Sequence, residues 1–86
     1  MVDYSPILNI MNMIINDRTI PRNIRNAVEN AKKTLESNEG EEVIRVSSAI
    51  QTLDEIINDP NMPLYARTRI WNIVSKLEEI RRILEK

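Results

Sequence analysis

The stretch IINDPNMPLYARTRI, residues 56–70, decides the fold because it repeats IINDRTIPRNIRNAV, residues 14–28, at an offset of forty-two positions. Both copies place an Asn-Asp pair after an apolar run, then a proline, then an arginine eight residues beyond the Asp. Asn or Asp at the end of a helix tolerates the left-handed backbone that ends it, and proline fixes the backbone that enters the next helix. We therefore predict that each copy is a joint within a helical hairpin, and that residues 8–36 and 50–78 are two copies of that hairpin.

Prolines and the single glycine, Gly40, divide the 86 residues into four helical segments of one domain spanning 1–86. Ser5 is a good N-cap, and Pro6 follows it at a position where a helix tolerates a missing N–H. The predicted helices run from Pro6 to about Asn16, from near Pro21 to just before Glu36, from about Glu41 to Ile57, and from near Pro63 to Leu84.

Apolar residues recur at alternating steps of three and four in every predicted helix, which keeps them on one face. Such stripes on short antiparallel helices favour the packing of a small bundle. The predicted fold is therefore all-α, a four-helix up-and-down bundle made of the two hairpins. The predicted core stripes are Leu8, Met11 and Ile15; Ile24, Val28, Ala31 and Leu35; Val43, Val46, Ile50, Leu53 and Ile57; and Ala66, Ile70, Ile73, Leu77, Ile80 and Leu84.

The aspartates and arginines of the two joints form a predicted structural clamp. Asp17 and Asp59 can accept backbone N–H bonds where the second helix of each hairpin begins, and the helix dipole favours negative charge there. Arg25 and Arg67 lie one turn into that helix, so each can reach back to an Asp of its own or of the other copy. A second interpretation, in which these arginines are presented to an anionic ligand, stays open from the sequence.

Two resemblances rest on these same residues. The segment LDEIINDPNMPLYARTRIWNIVSKL, residues 53–77, resembles a HEAT repeat, in which an Asp-containing turn ends the first helix and an arginine follows in the second. Over nearly the whole chain, DRTIPRNIRNAVENAKKTL and DPNMPLYARTRIWNIVSKLE resemble the small archaeal proteins of uncharacterised protein family 0147. That resemblance implies an all-helical four-helix bundle from an archaeon. It implies no activity, substrate or catalytic residue.

Composition argues against most catalytic chemistry. Histidine and cysteine are absent and glycine occurs once, which removes the usual general base, thiol chemistry and a glycine-rich phosphate loop. Ser47, Ser48 and Ser75 have no activating base or strained turn beside them. The acidic residues occur as adjacent pairs, which point about 100° apart on a helix and chelate one ion poorly. We therefore expect a protein that is not an enzyme and that has no metal and no cofactor.

Charge is unevenly distributed although the net charge is only −1. Residues 1–17 carry −2, 18–35 carry +4, 36–59 carry −6 and 60–86 carry +3. Alternating sign favours an up-and-down arrangement in which every neighbour is opposite in charge. The alternative places helices two and four on one basic face beside Tyr65 and Trp71, which would bind nucleic acid through phosphate contacts and base stacking. The candidate phosphate contacts of that alternative are Arg22, Arg69, Arg81 and Arg82.

Helix four carries apolar residues beside its core stripe and in its last turns. They either cover an edge of the bundle or form a partner surface. The residues of this candidate surface are Trp71, Val74, Ile80, Ile83 and Leu84. We expect a small cytoplasmic interaction module that binds another protein, or itself as a homodimer, through a helix face. The N-terminal apolar run is too short and too polar to span a membrane, so we expect no membrane partner.

Overall fold

Four helices make up the protein in the computed structural model, which describes residues 2–86. This part of the chain contains no strand, which confirms the all-α prediction. Each observed boundary lies within one residue of its predicted position. The helices are α1 (Ser5–Ile15), α2 (Arg22–Glu36), α3 (Glu42–Ile56) and α4 (Leu64–Leu84).

Prolines set the starts of the second helix in each hairpin. Pro21 and Pro63 are the cap residues of α2 and α4, and both have an extended backbone with ψ of 146°. The predicted left-handed ending is wrong, because no residue other than glycine has a positive φ within residues 2–86. Asn16 closes α1 with φ of −91°, and its backbone N–H donates to the carbonyl of Asn12. The last turn of α1 therefore closes by ordinary helical bonding.

The start of α1 also differs from the prediction. Ser5 is already the first helical residue, and Tyr4 occupies the cap position without a side-chain cap bond. The carboxylate of Asp3 accepts the backbone N–H of Ser5 at 3.0 Å. This bond lowers the pKa of Asp3, because it stabilises the ionised form. The Asp3 carboxylate, rather than the Ser5 hydroxyl, therefore accepts a backbone N–H at the start of α1.

The loop between the hairpins needs its glycine. Gly40 has φ of +76°, a backbone conformation that residues with a side chain rarely adopt. A Cβ added at this position would meet nothing within 4 Å. The requirement at Gly40 is therefore one of backbone conformation rather than of space.

The helices form a closed ring in chain order. α1 lies beside α2 and α4, and α3 likewise lies beside α2 and α4, whereas no Cα atoms of either diagonal pair of helices lie within 8 Å of each other in residues 2–86. The bundle measures 37 × 20 × 19 Å. This is the predicted up-and-down arrangement, in which the two joints lie together at one end.

The buried residues follow the predicted stripes in α2 and in the first part of α4. In α1 the predicted stripe is shifted by one residue at both ends, because Ile7 and Ile14 are buried while Leu8 and Ile15 are only half-buried. In α3, Ala49 joins the core, while Val43 and Ile57 stay half-buried. The buried core of residues 2–86 comprises Ile7, Met11, Ile14, Ile20, Ile24, Val28, Ala31, Leu35, Val46, Ala49, Ile50, Leu53, Met62, Ala66, Ile70, Ile73 and Leu77.

The helices differ strongly in length. With 11 residues, α1 is about 16 Å long, whereas the 21 residues of α4 extend about 31 Å. The last turns of α4 therefore extend past the N-terminal end of α1, and Ile80 and Leu84 in these turns are half-buried against the core. No helix in residues 2–86 combines the length and apolar character that a membrane span requires.

Candidate functional site

Each joint is built around the carboxylate of its aspartate. Asp17 Oδ1 accepts the backbone N–H of Thr19 at 2.9 Å and its hydroxyl at 2.6 Å. Asp59 Oδ1 accepts the backbone N–H of Asn61 at 2.8 Å. Aspartate commonly forms this turn by bonding a backbone group two residues along the chain. The bonds from Thr19 lower the pKa of Asp17, and Tyr65 and the cation of Arg69 lower it further.

The arginines of the joints bind backbone carbonyls rather than carboxylates. Arg67 Nε donates to the carbonyl of Ile57 at 3.0 Å, and its Nη2 donates to the carbonyl of Asp59 at 3.1 Å. Arg25 Nε donates to the carbonyl of Ile20 at 2.9 Å. Neither arginine lies within 4.0 Å of a carboxylate in the described part of the chain. The ion pair that we expected is therefore replaced by a charged donor that holds the backbone of the turn.

Side chains also connect the two joints to each other. Asn23 Nδ2 donates to Asp59 Oδ2 at 2.9 Å, and the Tyr65 hydroxyl is hydrogen-bonded to the Thr19 hydroxyl. Asn23 and Tyr65 occupy equivalent positions of the two sequence copies, each the second residue of its helix. A side chain from each hairpin is therefore hydrogen-bonded to a residue in the turn of the other hairpin. Arg69 lies at the same end of the bundle and makes a cation–π contact with Tyr65, with its guanidinium carbon 5.5 Å from the centre of the ring.

The candidate phosphate contacts do not form one surface. α2 and α4 lie at opposite corners of the ring, and none of their Cα atoms lie within 8 Å of each other in the described residues. Arg22 and Arg69 lie towards the joint end, whereas Arg81 and Arg82 lie in the last turn of α4. Arg69 and Arg81 are separated by about 18 Å along one helix. The single basic face of the nucleic-acid alternative is therefore not formed.

Charged groups form few ion pairs in residues 2–86, and none of these pairs joins two helices. Lys33 pairs with Glu29 within α2, and Arg81 with Glu78 within α4. Both pairs are largely exposed, so each contributes at most about 1 kcal/mol. The alternating charges of the helices therefore form no direct ion pair between helices in this part of the chain.

The candidate partner surface of α4 divides into two parts. Trp71 is 54% exposed and Ile83 is 60% exposed. Val74, Ile80 and Leu84 are half-buried and pack against the core. Trp71 and Ile83 are therefore the surface-exposed members, and they lie on different sides of the helix because their spacing of twelve residues corresponds to about 120° of rotation.

Leu64 is an exposed apolar residue that our sequence analysis missed. It is 70% exposed in the first turn of α4, more than Trp71 or Ile83. Its seven-residue spacing from Trp71 places both on one side of the helix. That spacing is a readable signal, but Leu64 directly follows Pro63, where the sequence indicates only the beginning of a helix.

Two buried residues of the joints were also missed. Ile20 and Met62 directly precede the two prolines, occupy equivalent positions of the repeat, and are buried in the core. Helical spacing cannot identify them, because they lie between helices. The signal was the recurrence of an apolar residue before proline in both copies.

Tyr4 is a further contact that the sequence did not indicate. Its hydroxyl donates to Glu42 Oε2 at 2.7 Å, which connects the start of α1 to the start of α3. Burial raises the pKa of Tyr4, and the neighbouring Glu42 carboxylate raises it further. The contact crosses the diagonal of the bundle at the end opposite the joints.

Groups of side chains that could hold a ligand are few in residues 2–86. No three acidic residues in this part lie close enough together to hold a metal ion. A surface depression at the end of α4 is lined by Glu79, Arg82 and Ile83 of that helix and by Lys86 just beyond it. The serines considered above are half-buried or exposed, and Ser48 accepts a bond from Thr52 only through its backbone carbonyl.

The ring of helices defines a class of protein, the small all-α bundle of four helices. The family model described as Uncharacterised protein family (UPF0147) matches residues 3–80, so the chain belongs to that family. This confirms the resemblance to family 0147. The HEAT-like character of the hairpins stays a prediction.

Several relatives share this sequence over most of its length. The UPF0147 protein MJ1419 of Methanocaldococcus jannaschii is 53% identical over 72 residues, which cover 84% of this chain and 77% of the relative. The UPF0147 protein of Methanothermobacter thermautotrophicus is 42% identical over 78 residues, covering 91% and 76%. Both organisms are archaea.

Solved structures share the fold. The crystal structure of a UPF0147 protein from Thermoplasma acidophilum superposes with a TM-score of 0.84 at 30% identity, covering 88% of this chain and 89% of the other. The protein of unknown function MMP1188 superposes with a TM-score of 0.83 at 50% identity, covering 86% and 84%.

Proposed function

We propose that the protein is a non-catalytic, cytoplasmic interaction module that binds another protein through the outward side of α4. The observation that carries the proposal is the exposure of large apolar side chains on this helix. Leu64 and Trp71 are among the few large apolar residues exposed in residues 2–86, and they share one side of α4. Exposed aromatic and aliphatic residues that lie together favour protein contact.

Polar groups elsewhere already have structural partners, which supports the non-catalytic part of the proposal. The carboxylates of Asp17 and Asp59 bind turn N–H groups, and the guanidinium of Arg67 binds turn carbonyls. An enzyme instead keeps such groups available to a substrate within a concave site. The chemistry of the joints is therefore that of a scaffold.

Affinity capture from native extract, with and without nuclease, tests this proposal. We expect proteins retained by the wild type to be lost with Trp71→Glu, which places a charge in an apolar contact. Met13→Glu is the matched control, because Met13 is 51% exposed on α1 and lies outside the proposed surface. Retention should survive high salt and nuclease, since apolar contacts do not depend on phosphate charge. Retention that nuclease abolishes would support nucleic-acid binding instead.

A further inference from the structure

One side of α4 carries a second stripe at the spacing of a helix–helix seam. Starting at Leu64, the steps along this stripe are three, four, three, four and three. The buried stripe through Ile70 and Leu77 has the same alternation, which is the pattern of knobs-into-holes packing. We call the second stripe the Trp71 row, and its members are Leu64, Arg67, Trp71, Val74, Glu78 and Arg81.

The Trp71 row is complementary to itself when it is reversed. Its two central members, Trp71 and Val74, are apolar, and they are flanked by Arg67 on one side and Glu78 on the other. We consider two copies related by a twofold axis that passes between Trp71 and Val74. Trp71 of one copy then faces Val74 of the other copy, and Arg67 of one copy faces Glu78 of the other. Parallel pairing would instead set arginine against arginine and glutamate against glutamate, which is repulsive.

We propose that the partner of α4 is a second copy of this chain, bound antiparallel through the Trp71 row. This proposal rests on the proposed function and names its partner. In the dimer, Trp71 packs on the partner's Val74, and Arg67 faces the partner's Glu78. Both contacts occur twice, because a twofold interface pairs the same surface with itself.

Leu64 and Trp71 are the exposed members of the Trp71 row, and its other four members are half-buried. Trp71 is the single tryptophan of the chain and is 54% exposed. Arg67 uses Nε and Nη2 in the turn, and its Nη1 makes no hydrogen bond within residues 2–86. Glu78 lies 3.9 Å from Arg81 of its own helix, so it would lie between two cations in the dimer. The aliphatic stem of Arg81 is positioned to cover the partner's Leu64.

Sedimentation of the purified chain tests the association. The wild-type mass should rise with concentration from 10.0 kDa towards twice that value. Trp71→Glu should weaken dimerisation by about 100-fold or more, because a buried tryptophan is lost from both halves of the interface. Ile83→Glu should dimerise like the wild type, since Ile83 is equally exposed on the same helix but lies off the row. A dimer that Ile83→Glu disrupts and Trp71→Glu preserves would overturn the proposal.

Crosslinking tests the antiparallel arrangement. The chain has no cysteine, so Ser75→Cys and Glu85→Cys each introduce a unique thiol. With helix axes about 9 Å apart, the two copies of position 75 should lie about 12 Å apart and those of position 85 about 39 Å apart. A short bismaleimide should therefore join Ser75→Cys dimers and leave Glu85→Cys unjoined. Equal crosslinking at both positions would show parallel pairing and overturn the proposal.

Different results would refute the dimer and the proposed binding of another protein. A wild-type chain that stays at 10.0 kDa at every concentration overturns the dimer. The same chain supports the proposed function if it captures other proteins through Trp71. A dimer that forms through the row but captures nothing would limit the function of α4 to self-association.

Discussion

Replacing Arg67 with alanine measures how strongly the joint depends on its arginine. The guanidinium donates two hydrogen bonds to turn carbonyls at a half-buried site, and Arg25 donates one at the equivalent position. A net contribution of about 1 kcal/mol per bond gives a loss of about 2 kcal/mol for Arg67→Ala and about 1 kcal/mol for Arg25→Ala. In a domain of this size, 1 kcal/mol shifts the melting temperature by about 4–8 °C. We expect decreases of about 8–16 °C and about 4–8 °C, respectively.

Thermal unfolding followed by circular dichroism provides the assay. The measurements should be made in the Trp71→Glu background, so that self-association does not contribute. Arg67→Lys keeps the charge but loses the planar fork, and it should recover less than half of the loss. The losses should persist at about 1 M salt, where charge interactions are screened beyond about 3 Å. Equal losses for both arginines, or full recovery by lysine, would refute carbonyl binding as the source of stability.

Three further changes test the loop, the turn and the core. Gly40→Ala should lower the free energy of unfolding by about 1 kcal/mol, because its φ of +76° disfavours a side chain; an unchanged melting temperature would contradict this. Thr19→Val should raise the pKa of Asp17 towards its usual value, as followed by NMR titration. Since the folded pKa is depressed, the stability contributed by Asp17 is present at neutral pH and lost as the pH falls through that pKa. In urea unfolding, Ile14→Ala should cost about 2–5 kcal/mol and Ile15→Ala clearly less, and the reverse order would favour the stripe read from the sequence.

Periodicity predicted the fold because every helix carries apolar residues at steps of three and four. In α2 the predicted stripe contains all the large apolar residues of the helix, and all its members are buried. In α1 at least two solutions exist, one through Ile7 and Ile14 and one through Leu8 and Ile15. Both solutions satisfy steps of three and four, and the choice depends on where α2 and α4 lie. That is a tertiary constraint, which local spacing does not contain.

The joints show a second limit of sequence reasoning. The repeat drew attention to Asp17 and Arg67, and both take part in the turns. It did not reveal that the arginine binds carbonyls, since a carbonyl is present at every residue and leaves no mark in the sequence. The cross-copy bond between Tyr65 and Thr19 was hidden for another reason. Neither residue is matched by an identical residue at the equivalent position of the other copy.

The unequal lengths of α1 and α4 have a consequence for motion. Beyond Leu77, α4 has no fully buried residue in the described chain, and Ile80 and Leu84 are only half-buried. Segments with few buried contacts open locally without unfolding of the whole domain. Amide hydrogens in residues 79–84 should therefore exchange with solvent far sooner than those near Ile70 and Ile73, so that unravelling begins at this end while the interlocked joints open last.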